Sequence, residues 1–364
     1  MINLAISEPG IPVLHTDLDQ NPWLLNVQNG TVDLQTGDIR PHNRGDLITK
    51  LCPTKFNPDA KSYVWDRFLE GVFDGKQDLI DFMQRWCGYC LTGIVREQML
   101  PIWFGSGANG KSTFIEAFMH AFGSDYAMKA PHDLFVVKKH NSHPTELADL
   151  FGKRFVAAVE TGDGRRLNES LVKELTGGDS IRARRMKEDF WEFSPTHKAI
   201  ICTNHKPQVR GNDHAIWRRL WLVPFTVKFW NPDKGETGPG ELRQDKLLPK
   251  KLVAEAEGIL AWAIRGCLDW QSHGISEPRD VLAATEEYRA DENITERFIS
   301  ECCVTGQDTY VVRASALYDA YKKFCEETGE DVETQRLFGS KLTEIGYKRF
   351  TNNGTWYRRL TIRD

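Results

Sequence analysis

Residues 104–113, FGSGANGKST, decide how the rest of the chain is read. Gly105, Gly107 and Gly110 frame Ser106, Ala108 and Asn109, and Lys111, Ser112 and Thr113 follow directly. The run before them, QMLPIWF, is short and apolar and suits a buried strand. The run after them, STFIEAFMHAF, carries its apolar residues at helical spacing. A strand, a glycine-rich turn and a helix make a frame in which successive backbone N–H groups curl around an anion. The start of the helix adds its positive end.

The spacing Gly105 to Gly110-Lys111-Ser112 satisfies G-x-x-x-x-G-K-[ST] in full. In that pattern the Lys111 amine is expected on the β- and γ-phosphates of ATP and the Ser112 hydroxyl on Mg²⁺. Gly105, Ser106, Gly107, Ala108, Asn109, Gly110, Lys111, Ser112 and Thr113 form the expected nucleotide-binding set. Hydrolysis also needs a carboxylate at the end of a neighbouring strand, near the metal and the attacking water. Glu160 closes the apolar run RFVAAVE and fits that place as metal ligand or base, with Asp163 the nearest substitute. Asn204 ends a further apolar run, KAIICTN, where an amide can position water or sense the γ-phosphate. Arg218 and Arg219, inside WRRLWLVPF, can offer a guanidinium to phosphates, within one chain or across an interface.

Outward from these runs the organisation is legible. Residues 21–60 read as short strands and turns, with Asn29-Gly30 and Thr36-Gly37-Asp38 as turn signals. Helical spacing runs from Ser62 to about Gly93. Glu169 to Leu175 reads as a helix, 180–193 as a hairpin, 231–242 as a Gly/Pro/Asp-rich loop and Leu248 to Trp270 as helix. The last piece holds two helices, Ala314–Glu327 and Glu333–Ile345, and then strands about an Asn-Asn-Gly turn, a winged-helix pattern.

The order of the glycine loop, the acidic strand end, NESLVKELTGGDSIRARRMKEDFWEFSPTHKAIICTNHKP and DHAIWRRLWLVPF resembles a superfamily 3 helicase. It is most similar to the branch attached to primases in phages, plasmids and large DNA viruses. Upstream, LLNVQNGTVDLQTGDIRPHNRGDLITKLCP resembles the small domain that precedes the ATPase in that branch. The resemblance covers about residues 20–290 and implies an α/β fold, an AAA+-like P-loop ATPase core. A small N-terminal domain (1–95) would precede the core (96–290), and a winged-helix-like domain (295–364) would follow it. It implies Lys111 and Ser112 as phosphate-loop residues, Glu160 as the acidic motif and Asn204 as sensor. Arg219, with Arg218 second, is then the arginine finger. Many members carry two acids where this chain has Glu160-Thr161, which leaves the division of labour at Glu160 open.

The implied activity is ATP-dependent DNA unwinding in replication. The implied partners are single-stranded or forked DNA, other copies of the chain in a hexameric ring, and a primase domain or protein. Arg182, Arg184, Arg185 and Lys187 fall on the 180–193 hairpin, which in such helicases enters the ring channel. Lys187, Arg184 and Arg185 are the expected DNA contacts, a solvated charged hairpin being the plainer alternative. In the tail Lys341, Lys348, Arg349, Arg358, Arg359 and Arg363 interleave with Tyr347, Phe350, Trp356 and Tyr357. That mixture suits either nucleic-acid contact or the core of a small domain. Two other readings use the same loop: a nucleotide-switched initiator or loader, and a small-molecule P-loop kinase, which would not need the basic hairpin.

Composition bounds the rest. The 364 residues allow two or three domains, and 40% hydrophobic with 27% charged residues is ordinary for a globular protein. A net charge of −4 argues against a uniformly basic surface but not against a basic channel. No apolar run is long enough to cross a bilayer, so no membrane partner is expected. Eight scattered cysteines suggest a reducing setting, the cytoplasm or a host's cytoplasm. Cys87-x-x-Cys90 lacks a second pair, and His140-x-x-His143 lacks partnering ligands, so zinc is not expected. Asp17-Leu-Asp19 has too little chain before it for a primase domain. Because relatives often carry such a domain upstream, Met1 reads either as a natural start or as a cut.

Overall fold

The computed structural model describes residues 12–138, 145–159, 162, 164–209 and 214–363. Glu160, Thr161, Asp163, His140 and His143 lie outside them. The chain divides into two compact units, Met1–Thr285 and Glu286–Asp364.

The first unit begins with an antiparallel meander of β1 (Leu24–Val27), β2 (Gly30–Asp33) and β3 (Ile39–Arg40). Helices α1 (Tyr63–Val72) and α2 (Gln77–Leu91) follow. The single helical run expected over 62–93 is broken between them, because Asp74 and Gly75 both adopt positive φ, at 54° and 68°. Next come β4 (Leu100–Phe104), α3 (Lys111–Phe122), β5 (Ala127–Ala130), α4 (Thr145–Ala148) and β6 (Phe155–Val159). They lead to α5 (Glu169–Gly177), the hairpin β7 (Ile181–Ala183) and β8 (Trp191–Phe193), and β9 (Lys198–Thr203). The unit closes with α6 (His214–Trp217), β10 (Leu220–Pro224), α7 (Leu248–Ala254) and α8 (Ala256–His273). Helix α9 (Arg279–Glu292) carries the division between the units.

The centre is a five-stranded sheet in the order β10-β4-β9-β6-β5, and every pairing in it is parallel. Burial on both faces explains why β4 and β9 read as continuous apolar runs: all six residues of β9 are buried, as are the first four of β4. From β4 the chain crosses towards the β5 edge, whereas from β9 it returns to the β10 edge. Connections that leave adjacent parallel strands in opposite directions open a crevice at their carboxyl ends.

Residues from the meander (Leu25, Val27), from α2 (Phe82, Trp86), from the sheet (Trp103, Phe155, Ile200, Val223) and from α8 (Ile264, Trp270) share one hydrophobic core. Helices α2 and α8 cross at glycines. A Cβ on Gly88 would sit 2.0 Å from the Cys267 nitrogen, and one on Gly266 2.0 Å from the Gln84 carbonyl oxygen. Arg154 ties the parts together from inside, donating to the Leu91 carbonyl at 2.6 Å and the Leu24 carbonyl at 2.9 Å. Cys87 and Cys90 are buried in α2, where burial raises both thiols, and they serve as inert packing. Among the described residues no helix is long and apolar enough to cross a membrane.

The second unit holds α10 (Ile294–Cys302), β11 (Cys303–Thr305), β12 (Val311–Arg313), α11 (Ala314–Thr328), α12 (Gln335–Ile345), β13 (Arg349–Thr351), β14 (Thr355–Arg358) and β15 (Leu360–Ile362). Its strands form a three-stranded sheet, β12-β14-β13, and a pair, β11-β15. Phe298, Tyr321, Phe324, Phe338 and Leu342 are in its separate core.

Candidate functional site

The crevice between β4 and β9 receives the glycine loop. Gly110, the N-cap of α3, has φ 87°, a left-handed conformation that turns the backbone into the helix at little steric cost only for glycine. Gly107 is also left-handed, with φ 95°. Its N–H donates back to the Gly105 carbonyl at 2.9 Å, closing the turn of the loop. The physical reason is the tight reversal after β4, which brings the amide of residue 107 onto the carbonyl two residues before it. The loop is fastened to the segment after β10: the Phe225 N–H donates to the Phe104 carbonyl at 2.7 Å, and the Phe229 N–H to Ala108 at 2.7 Å. Buried Asn109 donates its amide to the Phe225 carbonyl at 3.2 Å.

Lys111 is 5% exposed, and its ammonium donates to the Gly105 carbonyl (2.8 Å), Asn109 Oδ1 (3.0 Å) and Asn204 Oδ1 (3.2 Å). Three donors meet three neutral oxygens, and among the described residues no carboxylate pairs with the charge. Burial accordingly lowers the Lys111 amine below its ordinary value, partly offset by the Cys202 thiol. Two residues 93 apart in sequence, Lys111 and Asn204, are thus joined because β4 and β9 are neighbours in register, Phe104 opposite Thr203. Ser112 lies exposed in the first turn of α3, where helix N–H groups have no partner within the helix. Strand β6 ends at Val159 opposite Cys202, at the same carboxyl end of the sheet.

The two arginines differ sharply. Arg219 is 7% exposed and internally committed: Nε donates to Thr176 Oγ1 at 3.1 Å and Nη1 to the Ala215 carbonyl at 2.6 Å. Arg218 is exposed and donates to Gln98 Oε1 at 3.0 Å. Both stand at the amino end of β10, where Leu220 pairs with Leu100 at the start of β4. The loop of the same chain lies at the other end of that five-residue strand, about 16 Å away. Neither arginine lies near its own chain's Lys111.

In the hairpin, Ile181, Ala183 and Phe193 are buried and hold the base, with Phe193 and Trp191 against the Phe151 ring at 5.4 and 4.8 Å. The tip carries exposed Arg185, Met186 and Lys187, and Lys187 has φ 64°. Arg182 and Arg184 both stack on Phe190, at 4.6 and 4.7 Å from its centroid. Glu188 and Asp189 follow, so the tip is not uniformly basic. Asp19 is occupied in accepting from the Thr49 N–H and hydroxyl, and Asp17 accepts from the Leu14 N–H.

Sequence reasoning missed Gln98, which holds both arginines, and the Phe225 carbonyl, which holds Asn109. Neither residue type nor local spacing marks them.

Three family models match the chain: "D5 N terminal like" over residues 1–74, a family of unknown function (DUF5906) over 103–219, and "Poxvirus D5 protein-like" over 291–360. A relative named "Putative helicase L207/L206", from Acanthamoeba polyphaga mimivirus, is 27% identical over 325 residues, covering 85% of this chain and 33% of its own length. "Putative helicase 184R" of Invertebrate iridescent virus 6 is 25% identical, covering 88% and 36%. "Putative primase C962R" of African swine fever virus is 25% identical, covering 84% and 34%. The chain spans about a third of the length of these relatives. The apo structure of the NrS-1 C-terminal region shares the fold, with a TM-score of 0.53 at 14% identity over 86% of this chain and 78% of that one.

The class is therefore a mixed α/β protein, akin to viral proteins named as helicases and primases. Matches to D5-type models at both ends and to relatives named as viral helicases and primases support the resemblance to primase-associated superfamily 3 helicases that the order of its motifs carries.

Proposed function

We propose that this chain is the ATP-driven motor of a DNA replication helicase, with an AAA+-like P-loop core and a winged-helix-like tail. The observation that carries the reading is Lys111: a buried ammonium with only neutral oxygens around it is poised for an anion. Nucleotide phosphate fits, because the glycine loop leads into the start of α3, whose first N–H groups have no partner within the helix. Lys111 would then exchange a carbonyl for β/γ-phosphate oxygens, while Asn204 stays beside the γ-position. Ser112 and Glu160 are the residues assigned to Mg²⁺, which when bound supplies charge neutralisation on the phosphates.

Arg218, exposed and at the opposite end of the strand from its own loop, suits action on another copy's nucleotide. Arg219 would act instead as the buried strut that aims it. This exchanges the order of the two arginines expected from sequence. A head-to-tail contact of that kind closes into a ring, for which six copies is the family expectation. Arg184, Arg185 and Lys187 would contact the backbone of single-stranded DNA in the channel, so that hydrolysis moves the hairpins along it.

Hydrolysis of MgATP by the chain and by Lys111→Ala tests this. The variant is expected to lose about 100-fold or more in rate. It should also lose the nucleotide-dependent rise in melting temperature. Hydrolysis by Lys111→Ala at the unsubstituted rate would overturn the assignment.

A further inference from the structure

We propose a second nucleic-acid site, on the outer face of the β12-β14-β13 sheet, that stacks unpaired bases of single-stranded DNA on Trp356 and Phe350 while Arg313 and Arg358 hold phosphates. This site does not depend on the motor reading.

The register defines the face. Arg313 lies opposite Trp356, and Trp356 opposite Phe350, so the three side chains form one row across the three strands. Val311 and Arg358, paired with each other and two residues along, share that face. The opposite face carries Val312 and Tyr357, both buried in the core of the unit. Burial therefore divides the tail's aromatics residue by residue. Tyr357 is in that core and Tyr347 packs against it, whereas among the described residues neither Trp356 nor Phe350 contributes to it.

The charges on the face stand apart from the ion pairs of the unit. Arg297, Lys341 and Arg359 pair with Glu330, Glu333 and Asp308. Arg313 and Arg358 form no ion pair among the described residues, and the three strands contain no acidic residue. The Arg358 guanidinium lies 4.7 Å from the Phe350 ring centroid, and the Trp356 indole N–H is fixed to the Asn352 carbonyl at 2.7 Å. Flat rings and a flat guanidinium, held in place and half open to solvent on a sheet that lacks negative charge, match the requirements of single strands. Bases offer π-faces to stack, and the backbone offers phosphates to unpaired cations. A duplex hides its base faces and would use the arginines alone.

The test is the affinity of the full chain, without nucleotide, for a labelled oligothymidine and for a duplex of equal length. Trp356→Ala and Phe350→Ala are each expected to weaken single-strand binding roughly tenfold. Trp356→Phe should restore most of it, and duplex affinity should change little. Arg358→Gln should flatten the salt dependence by about one unit of slope. Crosslinking of iodouracil-substituted oligonucleotide to the wild-type chain is expected to fall in 349–358, a readout that needs no substitution. Unchanged single-strand affinity in the alanine variants, an equal loss on duplex, or crosslinks confined to the 180–193 hairpin would overturn the proposal.

Discussion

At the scale of single residues, buried cations are satisfied in different ways. Lys111 has three donors and three neutral acceptors, one of them supplied by Asn204 from a different strand. Adjacent Arg218 and Arg219 separate by burial, one solvent-facing and one fixed by Thr176, Ala215 and Gln98. Different outcomes are expected on truncation. Arg219→Ala strips buried acceptors of their donor and should cost about 1–3 kcal/mol of stability by denaturant unfolding. Arg218→Ala should leave the unfolding midpoint within about 0.5 kcal/mol but abolish hydrolysis of ATP. Because Lys111 and Arg218 would meet only across an interface, mixing inactive Lys111→Ala with inactive Arg218→Ala should restore activity. In an equal mixture about a quarter of head-to-tail contacts pair two intact residues. A mixture as inactive as its parts would place both residues in one subunit's site.

At the scale of elements, β9 does two jobs. Its carboxyl end presents Asn204, while its amino end buries Lys198 and, just before it, His197. Lys198 donates to the Thr92 and Thr196 carbonyls and lies over the Tyr89 ring, and burial pushes its amine down to about 7 from an ordinary 10.5. Among the described residues neither ring nitrogen of His197 has a partner, and burial, assisted by Lys198, pushes it down to about 3. In both cases the unfolded chain holds more protons than the folded one, between about 3 and 6.5 for His197 and above about 7 for Lys198. Stability should therefore rise with pH through each window. Above about 9 the buried thiols, raised by burial, begin to oppose this. The unfolding midpoint is expected to fall as pH drops from 6.5 to 4 and to rise from 7 to 8.5. Lys198→Met should flatten the second slope, and an unaltered slope would count against the buried amine.

The same elements show what was legible beforehand. β4, β6, β9 and β10 announce themselves as apolar runs because parallel strands are covered on both faces. β5 does not: Ala127–Ala130 is an edge strand of two alanines, a methionine and a lysine, with little apolar or β-branched signal. The hairpin at 180–193 was readable from alternation, but the stacking of two arginines on Phe190 was not, since it depends on the turn that folds them together. In the glycine loop, the motif names every residue, but the hydrogen bond from Gly107 to the Gly105 carbonyl is visible only in three dimensions. Lys111 and Asn204 were nameable singly. The hydrogen bond between them, and the support from Gln98 and Phe225, arises from strand order and leaves no local trace.

At the scale of the whole molecule, the proposed function requires a chain of net charge −4 to handle a polyanion. The basic groups suited to that task are local: the hairpin tip in one unit and the outer face of a small sheet in the other. Electrostatic contact of this kind is sensitive to salt, and its coupling to hydrolysis is what separates a motor from a nucleotide-switched binder. The most direct measurement is the steady-state rate of ATP hydrolysis with and without single-stranded DNA, in the full chain, in Lys111→Ala and in Lys187→Ala. Strong stimulation by DNA, no hydrolysis in Lys111→Ala, and an unstimulated basal rate in Lys187→Ala are expected. Hydrolysis at one rate with and without DNA would contradict the motor reading.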